Sequence, residues 1–145
     1  MFKRILVPVD GSENSVKALQ MGVELQKNTG AELMTLTVFR HHSLLEASMS
    51  MVRPDDPESI DDVMREHAKE IADAAKKAAV EMGAESPRAF VKSGQPARTI
   101  VKFGKEREVD LIVLGSRGLG DLEGYLLGSV SHKVTSLANC PVMVV

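Results

Sequence analysis

Five apolar runs separated by helical patterns are the feature that most constrains the fold of this chain. The first of them, KRILVPV, is a continuous β-branched and aliphatic run, which is typical of a strand buried on both faces. The five runs lie at residues 3–9, 31–39, 88–92, 109–115 and 140–145. Strands that alternate with helices indicate a parallel sheet, because each right-handed crossover returns the chain to the same direction. We therefore predict one α/β domain over residues 1–145, with helices on both faces of the sheet.

The helices between these runs have recognisable starts and stops. Ser12 or Asp10 is placed to cap the first helix, and Gly30 is placed to end it. Pro96 suits the first turn of a third helix, and residues 129–138 form a fourth.

The second helix is predicted from Glu58 to Gly83. Its predicted inner face repeats at steps of three and four and consists of Ile60, Val63, Met64, His67, Ile71, Ala74, Ala75, Ala78 and Met82. On this face we expect His67 to be a partly buried structural histidine. Residues 40–57 are irregular, and within them the segment 43–52 fits a short helix, a flap over a pocket or a contact with a partner subunit.

Composition excludes several classes of function. The chain has 18 basic and 20 acidic residues, four Phe, one Tyr and no Trp. A nucleic-acid-binding domain would carry a basic excess or a platform of aromatic rings, so neither kind is expected. No apolar run is long enough for a membrane span, and a single cysteine excludes an internal disulfide. The expected compartment is the cytoplasm.

Residues 115–129 contain five of the eleven glycines and follow the fourth predicted strand. A Walker A loop is excluded, because no glycine is followed by Lys and Ser or Thr at the required places. The dinucleotide fingerprint also lacks its context, since it belongs after the first strand and needs an acidic residue about 20 positions later.

A third spacing, G-x2-G-x9-G-S, is formed by Gly115, Gly118, Gly128 and Ser129. The first two glycines permit close approach of backbone to a ligand where the strand ends. The second pair lies where the fourth helix begins, so that free amides, the positive end of the helix dipole and a hydroxyl lie together. The nine residues between them can loop out as a spacer. This pattern predicts a phosphate-binding site.

With this motif the chain resembles the universal stress protein family, in particular its ATP-binding members. The resemblance covers the whole chain and rests on ILVPVDGS, SGQPARTIVKF, DLIVLGSRG and LLGSVSHKV running into CPVMVV. It implies an α/β fold with strand order 3-2-1-4-5 and a homodimer. In such an order the ligand crevice lies between strands 1 and 4, beyond their carboxyl ends. Asp10 and Gly115 then converge on one place.

The resemblance also implies roles for particular residues. Those expected to line the nucleoside part of the pocket are Pro8, Val9, Asp10 and, through its backbone at the adenine, Val38. Those expected along the ribose and phosphates are Gly115, Arg117 and Gly118, and those expected to hold the phosphate chain are Gly128, Ser129, Val130 and Ser131. The implied ligand is ATP, with AMP and ADP as alternatives and with Mg2+ or Mn2+ carried by the nucleotide.

Simpler roles remain open for several of these residues. Asp10 also fits a helix cap or turn, and Ser129 also fits an N-cap. The four histidines are not expected to form a metal site. Cys140 precedes Pro141 at the start of the last strand, where we expect it to pack.

The sequence therefore predicts an ATP-binding regulatory or stress-response protein that dimerises through the apolar edge strand Cys140 to Val145. One alternative is a metal-assisted nucleotide hydrolase or transferase that uses Asp10. The other is a dimerisation module without a nucleotide, in which the glycines form only a turn. No catalytic residue is assigned.

Overall fold

The computed structural model describes residues 1–40, 57–117 and 128–145. Five strands form one sheet: β1 Arg4–Pro8, β2 Glu32–Phe39, β3 Arg88–Ser93, β4 Leu111–Leu114 and β5 Val142–Val144. All neighbouring strands pair in parallel, in the order β3-β2-β1-β4-β5. The predicted fold class and strand order are confirmed.

In the described residues, four helices cover the sheet: α1 Glu13–Thr29, α2 Pro57–Glu81, α3 Pro96–Glu106 and α4 Ser129–Leu137. One core cluster joins α1 and α2 to the sheet through Leu19, Val23 and Ala79. A second cluster, on the opposite face, joins α3 and α4 through Ile100, Phe103 and Val134. Because Ile5 and Leu6 of β1 each contribute to a different cluster, the central strand is buried on both faces.

The ends of α1 are the ones that the sequence predicts. The side chain of Ser12 accepts a hydrogen bond from the Ser15 N–H at 3.2 Å, so Ser12 is the N-cap. Gly30 adopts a left-handed conformation with φ 73° and donates its N–H to the Gln26 carbonyl, which ends the helix. The N-cap thus sets the start of α1 close to the end of β1, at the carboxyl edge of the sheet.

The buried face of α2 agrees with the predicted one only in part: Ala75 is buried and Ile71 and Ala78 pack against the first core cluster, but other members of the predicted face are exposed. Its buried residues are Ala68, Ala72, Ala75 and Ala79, whereas Val63 is 67% exposed. The expectation that His67 is partly buried is wrong, because this side chain is exposed. Alanines occur on both the buried and the exposed face of this helix. A face predicted from the larger apolar residues is therefore rotated about the helix axis relative to the face that is buried.

The fourth strand is shorter than predicted at its start. Val109 and Asp110 precede β4, and the two carboxylate oxygens of Asp110 accept the Lys3 N–H at 2.8 Å and the Arg4 N–H at 3.0 Å. Asp110 therefore holds the beginning of β1 against the beginning of β4. The predicted irregular segment lies, except for Arg40 and Pro57, outside the described residues, as does the whole of 43–52. None of the described helices is long and apolar enough to cross a membrane.

Two helix glycines that face the core provide a matched test of packing. A Cβ on Gly22 of α1 would lie 2.7 Å from Val7 Cγ2, whereas a Cβ on Gly104 of α3 would meet its nearest neighbour, Ile112 Cδ1, at 3.7 Å. We expect Gly22→Ala to lower the free energy of unfolding by about 1–2 kcal/mol, because overpacking outweighs the better helix propensity of alanine. Gly104→Ala should raise it by about 0.5–1 kcal/mol. Urea denaturation of both variants measures the difference, and equal effects would contradict the packing described for α1.

Candidate nucleotide site

A cavity of about 550 Å³ lies beyond the carboxyl ends of the strands. Its walls come from the ends of β1, β2 and β4, from the first half of α2, and from the first turns of α3 and α4. Chain segments that follow β1 and β4 leave toward opposite faces of the sheet, so a crevice opens between them. The volume is in the range of sites that hold a small molecule.

Most of the predicted site residues lie at this cavity. Those that line it are Pro8, Val9, Asp10, Val38, Gly115, Arg117, Ser129, Val130 and Ser131. Gly128 is the N-cap of α4 and directly precedes the last three of these residues. Gly118 is outside the described residues. The ligand roles of these residues stay predictions.

Asp10 begins the turn that connects β1 to α1. Its Oδ1 accepts the Ser12 N–H at 2.9 Å, and its own N–H lies 3.4 Å from the Ser15 hydroxyl oxygen. Gly11, between them, has φ 87°, which suits glycine. Asp10 therefore fulfils the turn role that the sequence left open, and it does so at the wall of the cavity.

Ser116 joins the two ends of the glycine motif. Its carbonyl accepts the Gly128 N–H at 2.6 Å and lies 2.9 Å from the Ser131 hydroxyl, while its N–H donates to the Val145 carbonyl at 2.8 Å. The strand end and the helix start are thus held side by side, although eleven residues separate Ser116 from Gly128 in the sequence. These contacts hold the end of β4 next to the start of α4.

The first turn of α4 presents backbone amides to the cavity. Gly128 is the N-cap, with φ −62° and ψ 160°, and as a glycine it has no side chain with which to cap the helix. The N–H groups of Ser129, Val130 and Ser131 have no acceptor within the helix and carry the positive end of its dipole. The alternative that Ser129 is the N-cap is wrong, since it occupies the first helical position and is exposed.

Ser131 has a structural contact in addition to its position at the cavity. It is 2% exposed, and its hydroxyl lies 3.0 Å from the Gly128 carbonyl and 2.9 Å from the Ser116 carbonyl. The hydroxyl therefore stabilises the helix start. For a phosphate, Ser131 offers its N–H.

Gly115 is required by the packing of the protein itself. A Cβ at this position would lie 2.8 Å from the carbonyl carbon and Cβ of Asn14 and 2.9 Å from its carbonyl oxygen. From the sequence, Gly115 was expected to permit the close approach of a ligand. The structure supplies a further reason, which is the contact between the end of β4 and the first turn of α1.

Several cavity residues were missed by the sequence argument. Met64, His67 and Ile71 project from α2, Thr37 precedes Val38 on β2, and Arg40 follows this strand. The spacing of the three α2 residues by three and four positions was visible, but it was attributed to the core. Arg40 and Arg117 bring positive charge to the cavity, and the other ionisable residues among its described lining are Asp10 and His67.

The described part of the chain contains no group of three His, Cys, Asp or Glu side chains that could hold a metal ion. Cys140 is half-buried and packs against the second core cluster just before β5, as predicted. Burial raises the pKa of its thiol, and the negative charge of Asp110 raises it further. The thiol is therefore protonated at neutral pH, which does not suit a nucleophile.

Comparison with known proteins gives consistent matches over the whole chain. The model of the universal stress protein family matches residues 1–145. The universal stress protein YxiE of Bacillus subtilis is 40% identical over 148 residues, which cover 100% of this chain and 99% of that protein.

Solved structures of such proteins have the same fold. The universal stress protein UspA from Lactobacillus plantarum has a TM-score of 0.83 and 26% identity, over 99% of this chain and 97% of that one. The universal stress protein from Archaeoglobus fulgidus solved in complex with dAMP has a TM-score of 0.64 and 25% identity, over 99% of this chain and 97% of that one.

The contact between Gly115 and Asn14 predicts a large effect of a small substitution. Gly115→Ala should lower the free energy of unfolding by about 1–3 kcal/mol, because the new methyl group meets backbone atoms that cannot turn away. Urea denaturation without nucleotide measures this effect, with Gly104→Ala as the control for adding a methyl group at a roomy glycine. Stability equal to that of the unsubstituted protein would contradict the described approach of α1 to β4.

Proposed function

The chain belongs to the universal stress protein family, and we propose that it acts in the stress response as a regulatory protein that binds an adenine nucleotide, primarily ATP, in the cavity between β1 and β4. The observation that carries this proposal is the division of one cavity into two chemically different parts. Apolar side chains of β2, α2 and α3 line one part, with Arg40 and His67 among them, and the first amides of α4 line the other part, with Arg117. A nucleotide has the same division into base and phosphates.

The base end of the proposed site is lined by Leu36, Val38, Met64, Ile71 and Ile100. The Leu36 carbonyl accepts the Val9 N–H at 2.9 Å, so the backbone groups of Leu36 face β1. Residues two apart on a strand turn these groups to the same side. The N–H and C=O of Val38 therefore face the opening beyond the end of β1, which supports the proposed backbone contact with the adenine.

The phosphate end of the proposed site uses the first turn of α4. Its three uncapped N–H groups and the helix dipole favour an anion, and Arg117 lies at the same cavity. Gly115 and Asp10 lie between the two ends, beside the place where we propose the ribose. The universal stress protein from Archaeoglobus fulgidus was solved in complex with dAMP, which supports an adenine nucleotide as the class of ligand. ATP, its Mg2+ or Mn2+, and the cytoplasmic location are part of the proposal.

Gly128→Val tests the phosphate end. The φ and ψ of Gly128 are allowed for valine, so the substitution adds a side chain beside the helix start without straining the backbone. We expect ATP affinity to fall at least about tenfold, equal to about 1.4 kcal/mol. Isothermal titration calorimetry measures the affinity. Ser136→Val in the exposed last turn of α4 is the control and should bind ATP like the unsubstituted protein. Unchanged affinity in Gly128→Val would contradict the proposed phosphate site.

We also propose a homodimer that pairs along β5, within the predicted segment Cys140 to Val145. β5 is an edge strand whose only described neighbour is β4. The Pro141 carbonyl and the Val145 N–H bond to β4, so the backbone groups of Val142 and Val144 face away from the sheet. An apolar edge with free backbone groups can pair with the same edge of a second copy.

Val144→Pro tests this dimer. Proline removes the outward N–H of residue 144 and leaves the hydrogen bonds between β5 and β4 intact. We therefore expect a monomer in size-exclusion chromatography with light scattering. The control is Val91→Pro on β3, the opposite edge strand. The Gly94 N–H bonds to the Phe39 carbonyl, so the backbone groups of Val91 also face outward. Val91→Pro should remain dimeric. A monomeric unsubstituted protein, or a dimer of Val144→Pro, would contradict the proposal.

A further inference from the structure

A second recess, of about 470 Å³, lies between α2 and the edge strand β3. We call it the β3 groove, and its lining includes Arg65, Lys69 and Ala72 of α2 and Ala89, Val91 and Ser93 of β3. Among the described lining residues, only Phe39 also lines the candidate nucleotide cavity. The β3 groove is therefore a separate place on the molecule, and what it binds is independent of the proposed nucleotide function.

The backbone of β3 is open to a further strand along this groove. In the described sheet, the only neighbour of β3 is β2. The Gly94 N–H donates to the Phe39 carbonyl at 2.9 Å, so Gly94 turns its backbone groups toward β2. These groups alternate along a strand, and those of Ala89, Val91 and Ser93 therefore face away from β2. An extended peptide can hydrogen-bond to such a row of groups as an added strand.

The β3 groove is positively charged. Arg65 and Lys69 of α2 and Lys92 of β3 are the cations of its described lining, and Asp73 is the one acidic residue. Neither Lys69 nor Lys92 forms an ion pair with any described residue. The guanidinium of Arg65 lies 5.6 Å from the centre of the Phe39 ring, a cation–π contact that orients it at the groove. The two lysines thus leave their charges available to an anionic ligand.

The charges argue against a second copy of this chain as the occupant. Two β3 edges that pair about a twofold axis place α2 of one copy opposite α2 of the other, so Lys69 faces Lys69. Such an approach of like charges is unfavourable, and lysine on an edge strand discourages pairing between copies. The edge strand β5, Val142–Val144, carries no charged residue. An acidic strand, in contrast, meets the cations of the β3 groove favourably.

We propose that the β3 groove binds an extended acidic segment of a partner protein, which joins the sheet as a strand beside β3. The backbone of the segment pairs with the outward groups of Ala89, Val91 and Ser93. Every second side chain of the segment points to the α2 side of the sheet, where carboxylates lie near the cations of the groove. Because Ala72 and Ala89 are small, the groove has room for these side chains.

An end-capped peptide of alternating glutamate and threonine, of about the 6 residues of β3, is the probe. Titration followed by backbone amide NMR measures its affinity and locates it. We expect saturable shifts, largest at Ala89, Val91 and Ser93, at millimolar peptide or below. Raising salt from about 0.05 M to about 0.5 M should weaken binding at least about threefold, because exposed charges are screened. The matched peptide of alternating lysine and threonine should not bind.

Val91→Pro tests the strand pairing. Proline removes an outward N–H of β3 and leaves the hydrogen bonds to β2 intact, so affinity for the acidic peptide should fall at least about tenfold. Val144→Pro, the corresponding change on β5, is the control and should bind the peptide like the unsubstituted protein. Loss of binding in Val144→Pro with retention in Val91→Pro would place the peptide at the wrong edge and overturn the proposal.

Lys69→Glu tests the charge contact. It reverses one charge of the groove at an exposed position, so folding is not at risk, and we expect about fivefold weaker binding of the acidic peptide. Lys77→Glu makes the same change at an exposed position of α2 outside the described lining, and affinity should change less than about twofold. Equal effects of the two substitutions would show attraction to the molecule as a whole and would overturn the proposed groove.

Two further outcomes would also overturn it. One is equal affinity for the acidic and the basic peptide, or binding of neither at millimolar concentration. The other is a self-associated protein that becomes monomeric through Val91→Pro and not through Val144→Pro, since a second copy would then occupy β3. Circular dichroism of each variant confirms that it is folded. ATP binding is not needed for any of these results, so a failure here leaves the proposed nucleotide function intact.

Discussion

The pairing of β1 with β4 is the constraint on which both the core and the candidate site depend. Ile5 lies opposite Leu111 and Leu6 opposite Ile112, so two strands that are distant in the sequence form the middle of the sheet. Asp110 holds their beginnings together through two backbone N–H groups. The segments that follow the two strands cover opposite faces, and a cavity must therefore open where they part. The position of the site is a consequence of how the sheet is wound, and the side chains around it determine what it can bind.

Much of the fold could be predicted from the sequence because the signals are local. Continuous aliphatic runs identify buried strands, and Ser12 and Gly30 bound α1 as capping residues do. The inner face of α2 could not be predicted in the same way. Ala68 and Ala79 are buried, but alanine is almost as common on exposed helix surfaces, so its pattern carries little directional information. The exposure of His67 follows from that same rotation of the helix.

The candidate site was predictable in its location and less so in its chemistry. The two glycine pairs and the end of β1 could be assigned to one crevice once the family's strand order was known. The sequence could not indicate that Gly115 is needed against Asn14, or that the Ser131 hydroxyl serves the start of α4, because both depend on contacts between distant segments. For the same reason, it could not be predicted that Thr37 lines the cavity. A threonine in a strand is ordinary, and only the three-dimensional structure shows that this one lines the cavity.

The hydrogen bonds around Ser116 also bear on how this protein tolerates changes of length. The Gly128 N–H and the Ser131 hydroxyl reach the Ser116 carbonyl directly, so contacts among the described residues hold the two ends of the motif together. The entropy of closing a chain segment grows slowly, by about 0.6 kcal/mol for each doubling of its length. Insertions or deletions between the glycine pairs should thus leave the geometry of the helix start unchanged. We therefore expect that new sequence, such as a short recognition peptide, can be added between the glycine pairs with the described contacts of Ser116 intact.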